Sequence, residues 1–201
     1  IGEYRMDEII EIIEKINELH ICFNQRLQKS FPSRINYSKN QVNHLMDSSE
    51  LKKIFLDYIE NYYQELKIFI QSELYKLDLN LDFRIKERES LDDKLDRYYH
   101  GKEKGKMPLQ KCVNDIFGLR IITPFNLIGS KEFANICKEL KDKKIIYFYY
   151  TRHDDKYNGI HIYFKGKSNN YLPWELQLWY TEHETDNRKS HAEHKQGYLR
   201  R

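Results

Sequence analysis

The eight residues from Pro173 to Tyr180, PWELQLWY, constrain this chain more than any other stretch. Read with a period of two, Trp174, Leu176 and Leu178 fall on one face of a strand, and Glu175, Gln177 and Trp179 on the other. A glutamate set between large apolar neighbours is at least half buried. A carboxylate taken out of water needs a cation or proton donors beside it. Glu175 therefore points at partners that other parts of the fold must supply. The alternative is the solvated outer face of an edge strand, and the choice between the two turns on the company Glu175 keeps.

At 201 residues the chain is long enough for one domain with a substantial core and a helical extension. Hydrophobic residues make up 40% and charged residues 32%, the balance of a globular protein with a heavily charged surface. A formal charge of +3 is too small, taken over the whole molecule, to argue for nucleic acid. Its distribution says more: Arg188, Lys189, Lys195, Arg200 and Arg201 face a single acid, Glu193, in the last segment, whereas Glu8 to Glu18 is mostly acidic. Cys22, Cys112 and Cys137 are odd in number and far apart, which favours reduced thiols and a cytoplasmic location. No apolar run approaches a membrane span and no cleavable signal is present, so no membrane partner is expected.

From about Asp7 to Leu27, Ile9, Ile12, Ile13, Ile16, Leu19 and Phe23 recur at helical spacing, and Pro32 follows the break. A second helix is expected from Asp47, capped with Glu50 three residues on, towards Leu77. Both read as packing elements. The period then changes: Leu79, Leu81, Phe83 and Ile85 alternate with polar residues, which predicts a strand over Leu79 to Lys86 with Arg84 and Lys86 on its polar face. Ser90, with Asp93 three residues later, reads as a helix start, and Ser90, Lys94 and Arg97 share one side of that helix. Arg84, Lys86, Lys94 and Arg97 thus converge without matching acids on the same faces, and they would repel one another unless an anion sits among them. A solvated charged surface is the competing interpretation.

Asp115 to Ile122 enters a second strand, with Arg120 on the polar side and Asp115 at its entrance. A lone carboxylate there can hold a divalent metal, but it can equally be a cap or an ion-pair partner. A helix over Gly129 to Lys143 and strands over Lys144 to Tyr150 and Tyr157 to Phe164 follow, and His161 faces the polar side with Tyr163. Tyr149, Tyr150 and Tyr157 bracket the loop Thr151 to Asp155 and make an aromatic platform suited to stacking a base. His153-Asp154, and His191 with His194, lack the further ligands that a metal site needs.

The ordered set is Arg84-x-Lys86, Ser90, Lys94 and Arg97; Asp115-Ile-x-Gly118-x-Arg120; Tyr157-x-x-Ile-His161; and Glu175-x-Gln177. It resembles the synthetase domain of the RelA/SpoT family over roughly residues 79 to 196. The resemblance implies an α+β fold, a mixed β-sheet of about five strands flanked by helices and related to nucleotidyltransferases. Residues 1–78 would form an N-terminal helical region, and residues 79–201 the pyrophosphokinase core with a basic C-terminal helix. It further implies transfer of pyrophosphate from ATP to a ribose 3′-hydroxyl with Mg²⁺. Arg84 and Arg120 would stack on the adenine, and Lys86, Lys94 and Arg97 would grip the phosphates, with Ser90 among the ATP-binding residues. Asp115 and Glu175 would hold the metal, and Glu175 would also activate the attacking hydroxyl. Tyr157 would stack on the acceptor base, with Tyr150, His161 and Gln177 completing the acceptor side.

Two departures from the family pattern lie on that acceptor side. Arg152-His153-Asp154-Asp155-Lys156 replaces the usual Pro-Lys-x-Asn-Gly stretch, and Trp179 replaces an arginine expected shortly after Glu175-x-Gln177. The tail, with Ser190-His191 and His194-Lys195-Gln196, is similar to that of the toxic small alarmone synthetases, single-domain toxins of toxin-antitoxin pairs. That likeness implies a unit without hydrolase or regulatory domains, a cognate antitoxin, and the 3′ CCA end of tRNA as acceptor, so that aminoacylation and translation stop. The basic residues Arg188, Lys189, Lys195, Arg200 and Arg201 would contact the acceptor stem. Synthesis of (p)ppGpp or an adenosine analogue is the alternative, and a silent binding module a third.

Overall fold

A computed structural model describes residues 5–77 and 81–199, except for the side chains of residue 191 and residues 193–199. The helices are α1 (Met6–Ser30), α2 (Val42–Asp47), α3 (Ser49–Phe69), α4 (Arg88–His100), α5 (Leu109–Cys112), α6 (Lys131–Asp142) and α7 (Glu184–Leu199). The strands are β1 (Asp82–Ile85), β2 (Phe117–Thr123), β3 (Phe148–Asp154), β4 (Tyr157–Phe164) and β5 (Trp174–Tyr180). They form one mixed sheet in the order β1-β2-β5-β4-β3, in which only β2 and β5 run parallel. The expected mixed sheet of five strands flanked by helices, with a helical N-terminal region, is what the chain adopts.

The strand richest in bulky apolar residues, β5, lies at the centre, and nearly all of it is buried on both faces. Its Trp174 anchors the helical layer. Phe23 of α1, Phe69 of α3 and Phe117 of β2 all pack their rings on the indole, whose N–H donates to the Tyr62 hydroxyl at 2.8 Å. The apolar stripe predicted for α1 is the buried one, and it joins the sheet's back face in one continuous core.

Several boundaries differ from those expected. Ser48, not Asp47, caps α3, accepting from the Leu51 N–H at 3.1 Å, and Asp47 instead ends α2 and accepts from the Tyr99 hydroxyl. The residue preceding α4 is Glu87, so Ser90 lies inside its first turn rather than capping it. The strand expected over Leu79 to Lys86 is confined to β1, and residues 78–80 lie outside the described residues. The strand expected over Lys144 to Tyr150 starts at Phe148 and runs to Asp154, so most of the expected loop is strand. Asp154 explains the shift: its Oδ1 accepts from the N–H groups of Lys156 and Tyr157 and closes a tight turn that pins the β3–β4 hairpin.

His20 is buried completely, donating from Nε2 to the Leu172 carbonyl at 2.9 Å, while Nδ1 has no partner and lies close to Gly166. Burial pulls its pKa down to about 4, against a weaker opposing push from the Leu172 carbonyl. The unfolded chain, with an ordinary histidine near 6.5, therefore binds the extra proton first as pH falls, so His20 favours the fold above pH 6.5 and loses that contribution towards pH 4. Urea unfolding across this window should show a loss of about 3 kcal/mol in the native protein that His20→Gln lacks.

Candidate active site

The face of the sheet opposite α1 and α3 opens into a cavity of about 890 Å³. Strand register sets its floor in rows. One row runs Arg84, Gly118, Glu175, Tyr163, Phe148, and the next runs Asp82, Arg120, Gln177, His161, Tyr150. Period-two alternation puts each of these side chains on the cavity side once Glu175 is placed there. Helix α4 supplies one wall through Ser90, Lys94 and Tyr98.

At the centre, Glu175 is 7% exposed. Its Oε1 accepts from His161 Nδ1 at 2.8 Å and from the Tyr163 hydroxyl at 2.7 Å, and its Oε2 from the Gln177 amide at 2.9 Å. Because a carboxylate can only accept, His161 carries its proton on Nδ1. Burial pushes the Glu175 pKa up, but hydrogen bonding to His161 and Tyr163 more than offsets this and holds it below the ordinary value despite the negative charge of Asp115 nearby. Glu175 is thus kept as an anion inside the protein, with donors as its partners.

Asp115, two residues before β2, is gripped on both oxygens: Lys86 Nζ reaches Oδ2 and Lys94 Nζ reaches Oδ1, each at 2.9 Å. Burial raises its pKa, yet the two ammonium groups overcome that and hold it at about 2. The sequence placed these lysines together without a matching acid; Asp115 is that acid. Lys86 itself is 7% exposed, and its backbone N–H donates to the Ile116 carbonyl, so the residue after β1 is fixed at both ends. Asn114 adds a contact to Lys94 Nζ at 3.3 Å.

Arg120 sits over the Trp179 ring, its guanidinium carbon 3.5 Å from the ring centroid, and donates to the Gln177 amide oxygen at 3.0 Å. One face of the guanidinium is covered by the indole. Trp179 in turn donates from Nε1 to the Tyr157 hydroxyl at 2.8 Å, and it leaves no room for a side chain at residue 159, where a Cβ would come within 2.9 Å of the indole. Gly159 is therefore the residue that close approach demands.

The structure gathers most of the candidates and rearranges the rest. Arg84, Lys86, Ser90, Lys94, Asp115 and Arg120 line the cavity with Tyr150, His161, Glu175 and Gln177. Arg97 is exposed and stands outside the lining. Tyr157, expected to offer its ring to a base, is 2% exposed, with Arg152 over its ring at 4.8 Å. Tyr149, placed in the same platform, faces away, its hydroxyl near the Ala134 carbonyl of α6. Of the three tyrosines expected in the platform, Tyr150 is the accessible one, stacked on His161 with centroids 4.8 Å apart and planes at 5°. Arg188 bridges Glu184 at 2.7 Å and Asp82 at 3.1 Å, which ties α7 to β1 beside Arg120 rather than leaving a free cation. Lys189 is exposed near Asp186, Arg200 and Arg201 lie outside the described residues, and the side chain of Lys195 does as well.

Tyr163, which donates to Glu175, and Trp179, which carries Arg120, were not among the candidate site residues. Tyr163 shares the alternation that placed His161, and that signal was sufficient to find it. Trp179 was legible by alternation as a neighbour of Glu175 and Gln177 on one face, and also as a departure from a family pattern.

Among known proteins, the chain matches no protein-family model and no curated sequence. It is similar to a solved structure, the small alarmone synthetase 1 from Bacillus subtilis, at 17% identity and a TM-score of 0.38, with 72% of this chain and 78% of that one covered.

The lysine clamp sets a stability test. Asp115→Asn leaves two ammonium groups facing each other, and it should lower the unfolding free energy by about 2 kcal/mol in urea titrations. Added tripolyphosphate should recover part of that loss, because it returns negative charge to the same lysines.

Proposed function

We propose that this protein is an ATP-dependent pyrophosphokinase that transfers the β,γ-diphosphate of ATP to a ribose 3′-hydroxyl, the acceptor being the 3′ CCA end of tRNA. The observation that carries the reading is the joint placement of two carboxylates and a cluster of cations on one cavity, with Glu175 close enough to Asp115 to feel its charge.

In this reading the adenine stacks on the uncovered face of Arg120, with Arg84 from the neighbouring strand opposite. Lys86 and Lys94 leave Asp115 for the phosphates. The triphosphate offers more negative charge than one carboxylate, and ammonium groups are easily redirected point charges. The donor set fits Mg²⁺ carried in with the nucleotide: Mg²⁺ is commonly held by one or two carboxylates together with substrate phosphates, and no group of three or more histidine, cysteine or acidic side chains among the described residues would hold a metal alone. Asp115, freed of its lysines, and Glu175 would hold it, and it would supply charge neutralisation at the transferring phosphates.

Glu175 accepts the proton of the 3′-hydroxyl as that oxygen bonds to the β-phosphorus; the bond from the β-phosphorus to the oxygen bridging to the α-phosphorus breaks, and AMP leaves. His161, Tyr163 and Gln177 hold the glutamate ionised and oriented for that role. Positioning and charge carry most of such a transfer. The acceptor side supports a polynucleotide end: the segment Arg152 to Lys156 is strand and tight turn, and the half-exposed Tyr150 beside His161 is left as its accessible platform. A neutralising antitoxin protein belongs to the same reading.

Incubation with ATP labelled in its β- or γ-phosphate should put label on tRNA. Label on GDP or GTP alone would replace this acceptor with that of an alarmone synthetase, and label on neither would leave a binding module. Glu175→Gln should lower transfer by about a thousandfold while ATP still binds, and Arg84→Ala should weaken ATP binding about tenfold, read by equilibrium titration.

A further inference from the structure

Six large apolar side chains stand exposed among the described residues, and three of them, Tyr147, Phe148 and Tyr150, sit together at the β3 edge of the sheet and line the cavity. Tyr150 has a part in the function proposed above. Phe148, 47% exposed, has none. An apolar ring held open at the lip of a cation-lined cavity is a surface kept for contact.

The geometry of that edge is ordered. Phe148 and Tyr150 are two residues apart on β3 and so share its cavity face, with ring centroids 6.1 Å apart and planes at 30°. Each rests on a residue bonded to Glu175. Tyr150 stacks on His161, and Phe148 stacks on Tyr163 with centroids 6.3 Å apart and planes at 21°. Two flat rings therefore stand in series, each one residue away from the glutamate. Cations accompany the rings: Lys165 lies over the neighbouring Tyr147 ring at 5.2 Å, and Lys141 lines the same cavity. A mononucleotide acceptor needs one stacking surface. Two successive surfaces accompanied by positive charge match a single strand, whose bases stack in turn while its phosphates meet the lysines.

We propose that Phe148 is a second base subsite, so that the acceptor is a single-stranded RNA 3′ end of at least two nucleotides, the terminal base on Tyr150 and the preceding one on Phe148. The inference rests on the acceptor assignment made above. Cross-strand aromatic packing alone would explain the contacts with Tyr163 and His161 but not the exposure and the accompanying charge.

The test is equilibrium binding, which needs no turnover. With the donor side filled by a non-hydrolysable ATP analogue, fluorescence anisotropy reads a 5′-fluorescein-labelled RNA trinucleotide ending in adenosine with a free 3′-hydroxyl, and AMP is measured by competition. The full chain should bind the trinucleotide at least tenfold more tightly than AMP. Phe148→Leu, which keeps apolar bulk in the strand, should lose about tenfold in trinucleotide affinity with AMP unchanged, and Phe148→Trp should retain the native value. Equal affinity for both ligands, equal loss on both in the leucine variant, or no rescue by tryptophan would overturn the subsite. Trinucleotide preference without any phosphate transfer would support the subsite and defeat the pyrophosphokinase reading, whereas transfer to GDP without that preference would defeat the subsite alone.

Discussion

A charged carboxylate in the middle of a central strand is the constraint from which the rest of this structure can be argued. Glu175 lies between β2 and β4 and is almost closed off from water, so it needs donors that its own strand cannot fully supply. Gln177 gives one; His161 and Tyr163 give the others, and they reach it only in the observed β4–β5 pairing. A slip of one residue would turn both away from the cavity and strand an anion in the interior. The register of the sheet and the ionisation of its central acid are thus one requirement. The indole of Trp174, on the other face of the same strand, fastens that register to the helical layer.

The cavity's second acid obeys the opposite logic. Asp115 has ammonium partners on both oxygens, whereas Glu175 is met by an imidazole, a hydroxyl and an amide. The same two lysines serve as internal counter-ions in the free protein and as phosphate ligands in the proposed complex. Binding then becomes an exchange of partners, in which Asp115 gives up two cations. Such an exchange favours a ligand that brings its own cation along with its negative charge.

Much of this was readable from the chain. Alternation located β4 and β5 and put Glu175, Gln177 and His161 on one side, because a period of two has a fixed geometric meaning. It also put Arg84 and Arg120 on the same face. Burial was harder to read: Tyr157 was expected to offer its ring to a base, but nothing local shows that Arg152 covers it and Trp179 ties down its hydroxyl. The run Phe148 to Asp154 was misread in part as loop because its charged residues resemble a connection, while the turn is fixed by the side chain of Asp154 accepting from two backbone groups. Arg188 looked like a surface cation in a basic tail. It is joined to Asp82, a contact between residues 106 positions apart that no local pattern encodes.

The missing side chain at Gly159 has a wider consequence. Because the hairpin backbone presses directly on the indole of Trp179, and that indole is the bed for Arg120, the two ends of the cavity share a single rigid spacer. Any movement of this part of β4 onto the ring meets the same side chain that carries the guanidinium. The distance between the β4 backbone and Arg120 is thus set by the thickness of one indole, with a bare backbone atom on one side and a guanidinium on the other.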